Sequence, residues 1–179
     1  MEFTKFEYCF IFHMEGMMNR SRLYAMQFTS SGLKTFHSSP VFMYHPVMNR
    51  SELTSIKDMM FSDLKKMGWR PIPEGDSLGI SFFLRELPHQ DRNTICECCV
   101  NFVKFCSDEM LQCSAYLLTP SEIKKIHSSK RVSFSERKAI KSLQNKELVR
   151  GGWIEAPPDK SYIISDYYTF FVRPNNNEA

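Results

Sequence analysis

The sequence has little glycine and none of the short motifs that mark the common enzyme classes. It contains seven glycines among 179 residues. No G-x-x-x-x-G-K-S/T, G-x-G-x-x-G, H-E-x-x-H or G-x-S-x-G motif occurs. The five histidines, at positions 13, 37, 45, 89 and 127, are scattered and never spaced as a ligand pair. We therefore do not expect an enzyme built on a standard motif, and we expect no cofactor.

Long apolar runs are also missing. A membrane-spanning helix needs about 18–20 consecutive apolar residues, and no run approaches that length. The opening aromatic stretch includes Lys5 and Glu7, so it does not read as a signal peptide. The net charge of +3 is too small to indicate a nucleic-acid partner by itself. The composition is that of a globular chain, with 42% hydrophobic and 24% charged residues, and we expect no membrane partner.

Cysteine is concentrated in one place. Five of the six cysteines lie between Cys96 and Cys113. Zinc sites usually take Cys-x2–4-Cys pairs from two loops, and Cys96-x-Cys98-Cys99 does not have that spacing. The apolar stripe around them recurs every three or four residues and predicts a helix: Ile95, Cys99, Phe102, Cys106, Met110, Cys113 and Leu117. We therefore expect reduced cysteines packed in a core, and no metal site.

An internal similarity is the strongest signal in the chain. Residues 68–81 read GWRPIPEGDSLGIS, and residues 152–165 read GWIEAPPDKSYIIS. Six of the fourteen positions match without a gap. Each segment has apolar flanks around a Pro- and Asp-containing turn, which predicts a β-hairpin. The chain therefore appears as two related halves.

Helices are predicted before each hairpin. A stripe of Leu53, Ile56, Met60, Leu64 and Met67 predicts a helix that Gly68 ends. Capping patterns predict a short helix from Thr119 to Ile126 and a second from Ser133 to about Leu148. The remaining predicted elements are helices at Ser21–Thr29, Leu33–Tyr44 and Asp91–Tyr116, and strands at Trp153–Glu155 and Tyr162–Ile164.

Two helices followed by a hairpin, repeated once, predict two tandem winged helices. The expected fold class is α+β and mainly helical, with a long helix linking the two units. The expected boundaries are an unassigned extension at 1–20, a first winged helix at 21–88, a bridging helix and second winged helix at 89–173, and a polar tail at 174–179.

Positive charge is concentrated in the second half. Between Lys124 and Arg150 there are nine cations and two carboxylates, a balance of +7, while the remainder of the chain sums to −4. In a winged helix, cations near the second helix hold phosphates. The candidate DNA-binding residues are Lys124, Lys125, Lys130, Arg131, Arg137, Lys138 and Lys141. Because lysine predominates, we expect non-specific and salt-sensitive binding. A solvated basic face, or one that meets an acidic protein, is the alternative.

The order of elements resembles the non-SMC element one family, a subunit of the DNA-repair complex built on the fifth and sixth SMC paralogues. The resemblance lies in Arg22-Leu23-Tyr24-Ala25-Met26-Gln27, Ser31-Gly32-Leu33, Leu53–Met67, Lys130–Ser133, Gly152–Glu155 and Tyr162–Ile164. It covers about 150 residues, from Arg22 to Phe171. That family carries a RING-type zinc domain with ubiquitin-ligase activity, and no cysteine follows Cys113 here, so the activity is not carried over.

What the resemblance implies is a non-catalytic scaffold subunit in the nucleus. Its expected partners are a MAGE-like winged-helix protein and a kleisin subunit, with non-specific DNA contacted through the basic second unit. The alternative is a stand-alone winged-helix DNA-binding regulator.

Overall fold

Two antiparallel sheets pack face to face, and one helix covers the outer face of each sheet. The computed structural model describes residues 6–44, 50–73, 78–87, 96–107, 109–159 and 167–174. The layers run helix, sheet, sheet, helix, which lets each sheet bury both of its faces. Within these residues, neither helix is long and apolar enough to cross a membrane.

Unit 1 (residues 6–86) contains sheet 1 and its helix. The strands are β1 (Phe6–Glu15), β2 (Arg20–Thr29), β3 (Gly32–Ser38), β4 (Phe42–Met43), β5 (Arg70–Pro71) and β6 (Ser81–Glu86), and the helix is α1 (Arg50–Lys66). The strand order is β3-β2-β1-β6-β5, with β4 also paired to β2. A short 3-10 turn joins β1 to β2.

Unit 2 (residues 96–174) repeats this arrangement. Its elements are β7 (Cys96–Ser107), β8 (Met110–Leu118), β9 (Ile123–Ser128), β10 (Val132–Ser133), α2 (Arg137–Arg150), β11 (Ile154–Glu155) and β12 (Tyr168–Pro174). The order is β10-β8-β7-β12-β11, with β9 also paired to β8. A 3-10 turn at Phe134–Glu136 leads into α2. Each unit therefore places its first strand at the centre of its sheet.

The two units are structural copies of each other. Phe10 pairs with Met26 in sheet 1, and Val100 pairs with Tyr116 in sheet 2, so equivalent strand residues are 90 positions apart. The same bulge precedes Met26 and Tyr116. The offset is 84 at the glycine that follows each helix, Gly68 and Gly152, both with a φ near +94°. The duplication thus covers every strand and both helices.

Hydrogen bonds repeat as well as strands. The Ser39 hydroxyl accepts a bond from the Leu23 backbone N–H at 3.0 Å, and Ser129 accepts the same bond from Cys113 at 3.0 Å. Further repeated contacts are the turns held by Thr29 and Thr119, the His37–Asp63 contact of 2.9 Å and the His127–Glu147 contact of 3.0 Å. These bonds fix the third strand of each unit against its neighbour and its helix.

One apolar core lies between the sheets and others lie under the helices. Phe10 of sheet 1 stacks on Phe170 of sheet 2, with ring centres 4.4 Å apart. Met60 and Leu64 anchor α1 on sheet 1, while Leu148 anchors α2 on sheet 2. The layer between the sheets holds the two units together, and the layers under the helices hold each helix on its own sheet.

The expectation of two mainly helical winged-helix units is wrong. Unit 1 and unit 2 each form a six-stranded antiparallel sheet with one long helix. Four predicted helices are not helices: Ser21–Thr29 lies within β2, Leu33–Tyr44 contains most of β3 and all of β4, the described part of Asp91–Tyr116 belongs to β7, β8 and the turn between them, and Thr119–Ile126 is a turn and part of β9. The predicted 1–20 extension contains β1, the central strand of sheet 1.

Burial of both sheet faces explains these errors. A strand with one wet face alternates apolar and polar residues, whereas a strand covered on both faces is apolar almost throughout. In β7, Cys98 faces the inter-sheet core and Cys99 faces α2. Such runs satisfy a spacing of three or four residues by chance, so they imitate a buried helical stripe. The cysteines are buried as expected at Cys99 and Cys113, although in strands.

Three of the remaining predicted elements agree with the structure. The helix before Gly68 is α1, and the helix that begins near Ser133 is α2 with its preceding 3-10 turn. The Ser133 hydroxyl contacts the Ser135 hydroxyl at 2.9 Å and does not cap the helix. The strand after Trp153 is β11. The strand predicted at Tyr162–Ile164 lies outside the described residues.

Candidate functional site

A groove of about 650 Å³ runs beside α2, between the helix and the β11–β12 edge of sheet 2. We call it the α2 groove. It is lined by Arg137, Lys138, Lys141, Ser142, Asn145, Lys146, Val149, Arg150, Glu155 and Phe171. The helical residues recur at intervals of three and four, so they form one flank of α2 next to its buried stripe. From the first to the last of them the helix rises about 20 Å.

The α2 groove is strongly basic. Five of its lining residues are Lys or Arg. Among the described residues that line it, Glu155 carries the carboxylate. Within the described residues, no carboxylate is within ion-pair distance of Arg137, Lys138, Lys146 or Arg150. A polyanionic ligand would displace the counterions that these cations attract.

The structure separates the seven predicted DNA-binding residues into three groups. Arg137, Lys138 and Lys141 lie together in the α2 groove. Lys124 and Lys125 lie on β9. This strand contacts α2 through His127 and Glu147, on the flank of the helix opposite the α2 groove. These two lysines also point to opposite faces of β9. Lys130 and Arg131 are exposed in the connection between β9 and β10.

Two further cations complete the groove. Lys146 and Arg150 belong to the basic segment of the sequence but were not among the predicted site residues. They line the same groove as Lys138, eight and twelve residues further along α2. On a helical wheel they lie about 80° and about 120° from Lys138, so helical spacing by itself does not group all five cations.

An exposed aromatic cluster adjoins one end of the groove. We call Phe105, Phe134 and Tyr167 the aromatic trio. The Phe105 ring lies 6.1 Å from that of Phe134 at an angle of 15° and 5.8 Å from that of Tyr167. The guanidinium of Arg137 lies 5.4 Å from the Phe134 ring and 5.1 Å from the Tyr167 ring. Arg137 therefore contacts the trio and also lines the α2 groove.

A buried polar cluster supports α2 from below. The Asn101 carbonyl oxygen accepts bonds from the Gln144 amide at 2.7 Å and the Cys113 thiol at 3.1 Å. The Asn101 amide donates to Asn145 at 2.6 Å, and Asn145 approaches Thr169 at 3.5 Å. Asn101 is fully buried. This cluster fixes Asn145 of the groove to the centre of sheet 2.

Unit 1 provides an internal comparison, because its equivalent of the buried polar cluster is apolar. At the positions of Asn101, Gln144 and Asn145, unit 1 has Ile11, Met60 and Phe61. Beside α1 lies a cavity of about 130 Å³, lined by residues that include Phe12, His13, Lys57 and Phe61. The fold therefore does not require the polar cluster, whereas the flank of α1 equivalent to the α2 groove keeps Lys57, Lys65 and Lys66.

Three buried cysteines do not supply an activated nucleophile. Burial raises the pKa of Cys113 to about 11 and that of Cys99 to about 12. Burial also raises the pKa of Cys9 well above its usual range. These thiols stay protonated at neutral pH, and a thiol in that state is neither a nucleophile nor a metal ligand. In the part of the chain that is described, no three His, Cys, Asp or Glu residues cluster as a metal site.

Comparison with protein-family models, with curated proteins and with solved structures gives no match. The class of the protein is therefore defined by its own features: a tandem duplication of a sheet-and-helix unit in which the second copy carries a basic groove.

Proposed function

We propose that the protein is a non-catalytic nucleic-acid-binding protein and that the α2 groove is its binding site. The observation that carries the proposal is the array of five cations in one groove, four of them with no carboxylate partner among the described residues. Neutralising phosphates releases condensed counterions, and this release supplies most of the affinity in sequence-independent binding.

The chemistry of the groove favours backbone contacts over base readout. Lysine is a point charge that binds a phosphate in many orientations, whereas base discrimination uses paired donors and acceptors. Ser142 and Asn145 add neutral hydrogen-bonding groups, and Asn145 is already engaged with Asn101. We therefore propose binding that depends little on sequence and strongly on salt.

The wider expectation of a scaffold subunit rested on the order of elements in tandem winged helices. The segments that suggested a first winged helix, Arg22–Gln27 and Ser31–Leu33, belong to β2, β3 and the turn between them. A MAGE-like partner, a kleisin and a nuclear location remain predictions from that resemblance. Nucleic-acid binding is the part of the expectation that the groove supports independently.

A matched pair of charge reversals tests the proposal. Lys146→Glu with Arg150→Glu alters the groove, and Lys65→Glu with Lys66→Glu makes the same change in the last two turns of α1. Both variants change the net charge equally and place carboxylates near a helix C-terminus, where they are similarly unfavourable. Binding of fluorescent duplex and single-stranded oligonucleotides is measured by anisotropy at about 50 mM salt.

We expect the groove variant to lose about tenfold or more in affinity, and the α1 variant to keep wild-type affinity within about threefold. Equal losses in both variants would show that net charge alone drives binding, and would overturn the α2 groove as the site. If the wild-type protein binds no oligonucleotide and captures an acidic protein instead, the ligand of the α2 groove is that protein and not a nucleic acid.

A further inference from the structure

We propose that the α2 groove takes single-stranded nucleic acid, whose bases stack on the aromatic trio of Phe105, Phe134 and Tyr167. The inference rests on the proposed function and specifies its substrate class. Stacking side chains beside a basic groove are the two parts from which proteins build single-strand sites.

The exposure of the trio is the first observation. Phe105 is 54% exposed and Phe134 is 49% exposed, although both are large apolar side chains. Their ring planes are almost parallel at 15° with centres 6.1 Å apart, so the two rings form an apolar stack at the end of sheet 2 that a base can extend. Base faces are the flat apolar groups that such a surface accommodates.

The fold does not require this cluster. At the positions of Phe105, Phe134 and Tyr167, unit 1 has Glu15, Tyr44 and Gly79. Tyr44 instead packs edge-on against His13, with ring centres 5.0 Å apart. Because the copied fold forms without the cluster, the exposed phenylalanines are not explained by packing alone.

Arg137 connects stacking to phosphate binding. Its guanidinium lies within 5.5 Å of two rings of the trio while the residue also lines the α2 groove. The rings hold the guanidinium in place through cation–π contacts without neutralising it. A strand whose bases lie on the trio can therefore place its phosphates beside Arg137 and continue along the lysines of α2.

A duplex cannot use both features. Its base faces are stacked inside the helix, whereas bases of a single strand can be splayed out onto aromatic rings. The phosphate contacts of the groove remain available to either form. The trio therefore discriminates between the two forms, and the cations do not.

The experiment compares one pair of aromatic variants on two substrates. Phe105→Ala with Phe134→Ala removes the exposed rings, and Phe61→Ala removes a partly exposed ring from the equivalent flank of α1. Each protein is titrated with oligo(dT) and oligo(U) of about 12 nucleotides and with a duplex of the same length. Thermal unfolding confirms that the variants are folded.

We expect the trio variant to bind single strands about 10- to 100-fold more weakly, with duplex binding changed by less than about threefold. Phe61→Ala should bind both substrates as the wild type does. Phe134→Trp keeps a stacking face and should keep single-strand affinity. The tighter of oligo(dT) and oligo(U) identifies DNA or RNA as the source of the strand.

Two results would overturn the inference. Unchanged single-strand binding by the trio variant would show that the rings do not stack on bases. An equal loss on duplex and single strand would show that the rings only position Arg137. Both results would leave the proposed function intact, since that depends on the Lys146 and Arg150 variant and not on the trio.

Discussion

The guanidinium of Arg173 lies 4.3 Å from the centre of the Trp153 ring. Arg85 lies at the same distance from Trp69 in unit 1. Each arginine also donates a hydrogen bond to a backbone carbonyl at the end of its helix and pairs with a glutamate on the first strand. One side chain thus ties the last strand, the first strand and the helix end together in each unit.

The two arginine clamps should differ in strength. Arg85 pairs with Glu7, whose side chain is 10% exposed, whereas Arg173 pairs with Glu97, which is 31% exposed. Loss of the arginine leaves a more deeply buried carboxylate in unit 1. We expect Arg85→Met to lower the free energy of unfolding by about 2 kcal/mol and Arg173→Met by about 1 kcal/mol. Urea unfolding measures both, and a larger loss for Arg173→Met would contradict the assignment.

The polar cluster under α2 should behave as a unit. Asn101→Ile introduces the residue that unit 1 has at this position, but it leaves Gln144 buried without its acceptor. We expect a loss of about 2 kcal/mol in the free energy of unfolding. Adding Gln144→Met, again the unit 1 residue, should recover most of that loss because no buried amide remains. A double-mutant cycle from urea unfolding tests this, and additive losses would show that the two residues are independent.

Stability should fall on acidification partly through His13. Its Nε2 is buried with no hydrogen-bond partner among the described residues. Burial lowers the pKa of His13 below 6.5, although the negative charge of Glu15 raises it in part. The folded state therefore favours the neutral ring, and the unfolded state takes up a proton first as the pH falls. The contribution of neutral His13 to the free energy of unfolding is complete above about pH 6.5. It is lost progressively as the pH falls from there to the pKa of His13 in the folded state.

The substitution His13→Phe keeps an aromatic ring against Phe42 and Tyr44 and removes the titration. We expect the free energy of unfolding to drop less in this variant than in the wild type between about pH 7.5 and about pH 5.5. Chemical unfolding at the two pH values gives both differences. The other histidines contribute equally to both proteins, so identical drops would refute a buried neutral His13.

The sequence revealed the duplication only around Gly-Trp. Gly68 and Trp69 do correspond to Gly152 and Trp153. After the next turn the offset grows from 84 to 88, because Phe83 and Phe171 are the equivalent residues on the last strand. Ser81 thus corresponds to Thr169 and not to Ser165. The wider similarity was present at an offset of 90, where His37-Ser38-Ser39 matches His127-Ser128-Ser129. An ungapped comparison that starts at the hairpin does not reach it.

The positive charge of the site could be predicted from the sequence, but the arrangement of its residues in space could not. Counting charges located the basic segment, from which Arg137, Lys138 and Lys141 were chosen together with four residues that lie outside the α2 groove. The trio could not be predicted, because Phe105, Phe134 and Tyr167 come from three distant segments that only the sheet pairing brings together. Asn101 was hidden for the same reason, in a strand mistaken for a helix.

The salt dependence of binding tests the α2 groove most directly. For single strands, the slope of log Kobs against log salt is about −0.7 for each phosphate neutralised. Replacing Lys146 and Arg150 by alanine should make the slope shallower by about 1.4, and replacing Lys65 and Lys66 by alanine should leave it unchanged. Oligo(dT) titrations between about 50 and 200 mM salt measure all three slopes. Equal slopes for the two variants would contradict the groove as the phosphate-binding site.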